Sequence, residues 1–223
     1  IAHAPGVNGA VVSFDTQKEV YVNPMDVNFA DVDYATLQEI IAEKTDFILT
    51  LLSSCMRRNI DSEEMGVLNK VIEQVYSENY AMRKKINGES GMVTEFSVPS
   101  YMKQPETVLP IASNLTAEEQ ERKYSPTLQD VYQKLKDMDD DVIAQKLAAH
   151  MQIFVNGSLN LFNHRTNIDL NRKFIVFDIS GIKENLRVTC MLVMLEIVRS
   201  KIVQNFKQNN WTNVYIDEFH ELL

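Results

Sequence analysis

Glycine and proline are scarce in this chain, with 7 and 6 residues among 223, and there are only 2 cysteines. Cys55 and Cys190 each lie in an apolar helical stretch with no CxxC spacing, so neither a disulfide framework nor a thiolate zinc site is encoded. Buried free thiols of a reducing compartment are expected, which points to the cytoplasm. Long apolar runs are missing too. The longest on the late helix, Cys190 to Leu195, is far short of the ~20 residues of a membrane span, and no signal peptide is legible. A net charge of −9 argues against a nucleic-acid-binding surface of its own. Arg57-Arg58 and Arg83-Lys84-Lys85 are diluted by nearby acids and read as solvated helix faces. The chain also has no G-x-x-x-x-G-K-[ST] run. Gly6 and Gly9 are too close together, and Gly88 and Gly91 lead into Met92, so no loop here cradles phosphate.

What is present is a soluble globular composition, 45% apolar and 24% charged, enough for one well-buried domain. Ala10 to Phe14 and Glu19 to Val22 read as short strands, the second ended by Asn23-Pro24. From about Asp33 the period becomes helical, with Leu37, Ile40, Ile41, Ile48, Leu51 and Leu52 in a helix reaching Arg58. Asp61-Ser62-Glu63-Glu64 is a helix start. Residues 87–114, with two glycines and three prolines, read as a long loop. Thr116-Ala117-Glu118-Glu119 and Ser125-Pro126-Thr127 open further helices, Pro126 suiting a first helical position. Another helix covers Asp140 to Phe154. The acidic cluster at Asp137 to Asp141 lacks the glycine and closing glutamate of a calcium loop and suits a helix N-terminus.

Phe174 to Ile179 reads as a strand buried on both faces of a parallel sheet, Leu186 to Phe206 as a well-buried helix, and Trp211 to Ile216 as the next strand. That order is a βαβ unit with an expected right-handed crossover. The last strand delivers Asp217 and Glu218 to the C-terminal edge, where open α/β sheets bind ligands. A strand closing on two carboxylates is the pattern of a Walker B element. One carboxylate holds Mg²⁺ and its neighbour polarises the attacking water, unless the pair is simply a solvated turn. Asp178, ending the other strand, either organises water or Mg²⁺ beside Asp217 or accepts from the next helix's N-terminus. His220 either senses the γ-phosphate or a neighbouring subunit, or caps a turn. Arg165 is a candidate arginine finger supplied in trans.

Several segments in order resemble one family. They are Val20-Tyr21-Val22-Asn23-Pro24-Met25-Asp26, the helical stretch Phe47 to Val75, Ser125 to Val131, Phe162-Asn163 with Thr166-Asn167 before Phe174 to Ile179, and Tyr215-Ile216-Asp217-Glu218-Phe219-His220. Together, over nearly the whole chain, they resemble the ATPases of type IV secretion and conjugative DNA transfer.

The resemblance implies an α/β fold: a partial RecA-like P-loop NTPase sheet of parallel strands with a large all-helical insertion. Residues 1–30 would be a sheet segment, 31–160 the insertion, and 161–223 a sheet segment with Walker B. It implies ATP and Mg²⁺ as cofactors, Asp217 as the metal residue and Glu218 as the catalytic carboxylate. It also implies self-association into a hexamer or other multimer, partner secretion-channel subunits, transported DNA or protein, and a place at the inner face of the bacterial membrane. A phosphate-binding loop is expected upstream of Ile1, so this piece alone is expected to bind ATP poorly. Two other readings remain: a ring-forming DNA translocase or helicase, and a non-enzymatic helical interaction module.

Overall fold

The computed structural model describes residues 9–14, 20–29, 32–86 and 122–217. Among them are two strands, β1 (Gly9–Ser13) and β2 (Phe174–Asp178), and five α-helices. The helices are α1 (Tyr34–Met56), α2 (Ser62–Ile86), α3 (Leu128–Lys136), α4 (Val142–Val155) and α5 (Glu184–Lys207), with a one-turn 3₁₀ helix at Asn160–Phe162. β1 and β2 pair in parallel, from Gly9 opposite Phe174 to Ser13 opposite Asp178. A parallel pair needs a crossover, and here the crossover contains α1 to α4. The mixed α/β class, parallel strands with a helical insertion between them, therefore stands.

Local chemistry explains where the helices begin. The Asp33 carboxylate accepts from the Thr36 amide at 2.8 Å and caps α1. Asp61 Oδ1 accepts from the amides of Glu63 and Glu64, both at 2.9 Å, and Glu64 Oε2 accepts from the Asp61 amide at 3.1 Å. That reciprocal pair is the capping box expected at this position. Thr127, not Ser125, caps α3: the Thr127 amide donates to Asp130 Oδ2 at 2.6 Å. Pro126 stays outside the helix because its carbonyl accepts from Asn23 Nδ2 at 2.8 Å, holding it in the preceding turn. The cluster at 137–141 is spent on helix ends, with Asp137 the C-cap of α3 and Asp141 the N-cap of α4. Asp141 Oδ1 accepts from Ile143 and Ala144 at 2.8 and 3.0 Å. Asp141→Ala is expected to cost about 1 kcal/mol, read as a lower urea midpoint with an unchanged slope.

Glu64 carries a pH signature as well. Hydrogen bonds from Arg58, one of them 2.8 Å long, hold its carboxyl at about 2 against an ordinary 4.5, overriding the upward pull of burial. A carboxylate depressed in the folded state stabilises fully above its unfolded pKa, and that contribution fades as pH falls towards the folded one. Wild-type stability should therefore drop between about pH 4.5 and about 2. In Arg58→Met the drop over that window should be shallower, as denaturant midpoints taken across it will show.

One core runs through the fold, from Val12 and Phe14 through the helices to Cys190 and Val193 of α5. α1 packs against α2, α4 and α5, while α3 and α4 pack on each other and on α2. Both cysteines are free, and burial raises the Cys190 thiol to about 12. Among the described residues no helix is long and apolar enough to cross a membrane.

Four further expectations are corrected. Val20 to Val22, the described part of the expected second strand, lie in no ladder. Instead the Tyr21 amide donates to Asn167 Oδ1 at 2.9 Å and the Asn167 amide to the Tyr21 carbonyl at 3.2 Å, so a loop replaces a strand as partner. β2 is covered on one face only: Ile175 and Phe177 meet the core while Phe174 and Val176 stay exposed, and α5 is buried only as far as Ile197, leaving Ile202, Val203 and Phe206 exposed.

Trp211 to Ile216 likewise form no strand, and Trp211 is 94% and Tyr215 90% exposed. Asn205 Nδ2 donates to Thr212 Oγ1 at 2.8 Å, tying the start of this segment back to the end of α5. Apolar β-type residues favour a pleated, half-buried surface, but a strand forms only where another edge pairs its backbone. Among the described residues no such edge meets this segment, so the expected βαβ unit is not completed. The expected loop at 87–114 and helix at 116–119 lie outside the described residues.

Candidate functional site

Because β1 and β2 run in parallel, their C-terminal ends share one edge, and the last register pair is Ser13 with Asp178. Ser13 Oγ donates to Asp178 Oδ2 at 3.2 Å, and the Ser180 amide donates to Oδ1 at 3.0 Å. The Phe14 amide extends the pairing one residue further, to the Asp178 carbonyl at 2.9 Å. Asp178 thus reaches the edge expected of it. It also accepts from a following amide, although two residues on and ahead of α5 rather than from α5 itself.

Asp217 lies in an exposed turn after the 211–216 segment. Glu218 and His220 lie outside the described residues. Arg165 sits in the loop between the 3₁₀ turn and β2, where its Nη1 donates to the carbonyls of Arg122, at 3.3 Å, and Lys123. Those two residues lead into α3, so the loop is strapped to the insertion. The contacts seen for Arg165 are with that loop entry, whereas Asp178 is anchored to β1 at the far end of β2.

Two polar clusters tie together parts of the chain that are distant in sequence. The Asn-Pro-Met-Asp turn forms the first. Asn23 Nδ2 donates to Asp26 Oδ1 at 2.9 Å, the Met25 amide to Asn23 Oδ1 at 3.0 Å, and Thr166 Oγ1 to Asp26 Oδ2 at 2.6 Å. Burial raises the Asp26 carboxyl, against the lowering pull of its Thr166 bond and of Arg122. The second cluster is a buried ion pair. Lys44 Nζ lies 2.7 Å from Glu196 Oε1 and 2.7 Å from the Pro24 carbonyl. Arg199 Nε adds a 2.9 Å bond to Glu196 Oε2. This pair was not singled out from the sequence, yet a signal existed. Lys44 falls between Ile41 and Ile48 on the apolar stripe of α1, and Glu196 beside Met194 and Ile197 on that of α5. A charge on a core stripe needs a buried partner.

Among the described residues no group of three or more histidine, cysteine, aspartate or glutamate side chains converges on a metal position. A cage for a structural ion is therefore absent from them. Mg²⁺ asks for less, because it keeps several waters and takes one or two carboxylates together with substrate phosphates. The exposed Asp217 carboxylate suits that demand in donor chemistry.

Compared with solved structures, the fold is similar to VirB4 of Thermoanaerobacter pseudethanolicus, with a TM-score of 0.55 over 88% of this chain. The chain has a VirB4-like fold. It is 15% identical to that protein and spans 63% of its length, under two thirds. At that identity the likeness speaks for the fold alone. No protein-family model matches the sequence, and no curated protein does.

Proposed function

We propose that this chain is part of a VirB4-type ATPase whose ATP hydrolysis powers type IV secretion or conjugative DNA transfer. The observation that carries the reading is the agreement of two independent ones: a VirB4-like fold, and an ordered series of segments resembling the secretion ATPases, ending in Asp217-Glu218. In this reading residues 1–30 and 161–223 are sheet segments of a RecA-like motor and 31–160 its helical insertion.

Bound Mg²⁺ would supply the positive charge that neutralises the phosphoryl oxygens of ATP. Asp217 would hold the ion. Glu218 orients the attacking water and accepts its proton, which requires a carboxylate within hydrogen-bond reach. Asp178 and His220 would be the further residues near the nucleotide. Arg165 reaches a neighbouring protomer's nucleotide, for which it must release the carbonyls of Arg122 and Lys123. Residues 1–223 contain no phosphate-cradling glycine loop, so the reading requires those donors from outside them.

The motor works as a hexamer or other multimer with channel subunits, at the cytoplasmic face of the membrane, on DNA or protein cargo. The test is a Mg²⁺-dependent ATPase assay on the full-length protein. Turnover that requires Mg²⁺ is expected, and a well-folded full-length protein without turnover overturns the reading.

A further inference from the structure

α5 carries two apolar stripes, and only one of them is buried. Cys190, Val193, Met194 and Ile197 face the core, where α5 packs against α1. Val188, Leu192, Leu195, Ile202 and Phe206 recur at the three-and-four spacing of a second stripe. Val188, Ile202 and Phe206 are exposed, Phe206 at 75%, while Leu192 and Leu195 are half-buried. At about 3.6 residues per turn the two stripes lie on roughly opposite sides of the helix. Burial of apolar surface is non-directional, so it gives α1 little reason to meet one stripe rather than the other.

The charges on the two helices do choose. Glu196 lies on the border between the stripes, its side chain 6% exposed, and meets Lys44 of α1, 4% exposed, at 2.7 Å. The Lys44 ammonium also donates to the Pro24 carbonyl at 2.7 Å. Arg199, almost one turn on, bonds Glu196 Oε2 at 2.9 Å and reaches Glu43 Oε2 of α1 at 3.1 Å. Both links between the helices therefore leave α5 from the same flank. A half-turn of α5 would carry Glu196 to the other side of the contact and strand Lys44 in the core. An uncompensated buried charge is strongly unfavourable.

We infer that the Lys44–Glu196 pair, with Arg199 and Glu43, is an orientation lock that selects which face of α5 packs on α1. It keeps the stripe from Val188 to Phe206 outward. Fixing register among apolar alternatives is the best-attested use of a buried polar group. The lock holds whether or not the protein hydrolyses ATP. Its signature is a loss of uniqueness without a matching loss of stability.

The experiment follows alkylation of Cys190 in the native full-length protein, read from peptide masses, with urea midpoints alongside. In the wild type this thiol is fully buried and raised to about 12, so it should react slowly. In Lys44→Met/Glu196→Leu neither orientation is favoured, and Cys190 should react roughly 10-fold faster or more, because a minor state commonly holds about 0.1–10% of the population. Leu147→Ala, a core cavity in α4, is the control for lost stability alone. Corrected for each protein's own global unfolding, alkylation should rise in the double variant and stay at the wild-type level in Leu147→Ala. Adding Ile202→Gln and Phe206→Gln to the double variant makes the outer stripe polar. Burial alone then chooses, and protection of Cys190 should return. If the double variant does not fold, Lys44→Met, in which Glu196 keeps Arg199 and Ser200, carries the same comparison. Wild-type protection of Cys190 without the pair overturns the inference, as does a loss of protection that the two glutamines do not repair.

Discussion

Glu218→Gln in the full-length protein should lower kcat for ATP hydrolysis at least 100-fold while leaving ATP binding nearly intact. Removing a positioned general base typically costs about 10²–10⁴ in rate. Gln keeps the shape and a hydrogen-bonding oxygen but cannot accept the proton of the attacking water. On the proposed reading binding should survive, because the phosphate donors would lie outside residues 1–223 and Asp217 keeps its charge. The pattern is therefore a fall in kcat with a near-constant KM, the mark of an interaction made in the transition state. If Asp217 holds the ion as proposed, Asp217→Asn should differ, with its defect partly relieved by high Mg²⁺. Undiminished turnover in Glu218→Gln would remove that residue from the chemistry and favour a helical interaction module instead.

The second large effect concerns the fold. Glu196→Leu leaves the Lys44 ammonium, 4% exposed, facing the Pro24 carbonyl without its counter-charge. Breaking a buried pair from one side typically costs about 3–5 kcal/mol. In the wild type, burial pushes the Glu196 carboxyl up, while the Arg199 hydrogen bond and the charge of Lys44 outweigh it and hold it below its ordinary range. Lys44→Met should cost less, since Glu196 keeps Arg199 and a 3.3 Å bond from Ser200 Oγ. The double variant should be more stable than Glu196→Leu alone, because no uncompensated charge remains and two apolar side chains meet in its place. Urea midpoints of the four proteins measure this. Strict additivity would show that the two groups do not depend on each other, against the 2.7 Å contact. The pair joins α1 to α5 and, through Pro24, to the Asn23–Asp26 turn, so its loss should loosen the insertion against the sheet segment.

Much of the architecture was legible because it is written locally. The capping box at Asp61 and Glu64, the acidic start of α4 and the apolar stripes of α1 and α2 are short-range patterns, and these helices appear within a few residues of expectation. β2 was legible for the same reason, as a short run rich in β-branched and aromatic residues. The α3 start was misplaced by two residues because Pro126 is claimed by Asn23, more than 100 positions earlier, and no local rule sees that partner. Of the candidate site, Asp178 was placed at its sheet edge from pattern alone, whereas its lock on Ser13 depends on strand pairing that the sequence does not display.

By itself the sequence determined that the segments of α1, α2, α4 and α5 are helical, that Asp61 and Glu64 open α2, and that two apolar runs end in aspartate, since these follow from spacing and backbone chemistry within a few residues. Tertiary structure decided which strand meets which, that Lys44 and Glu196 neutralise each other, and that, among the described residues, one face of β2 and most of 211–216 remain exposed. A hydrophobic pattern states that a surface favours burial. Only the assembled chain decides what, if anything, covers it.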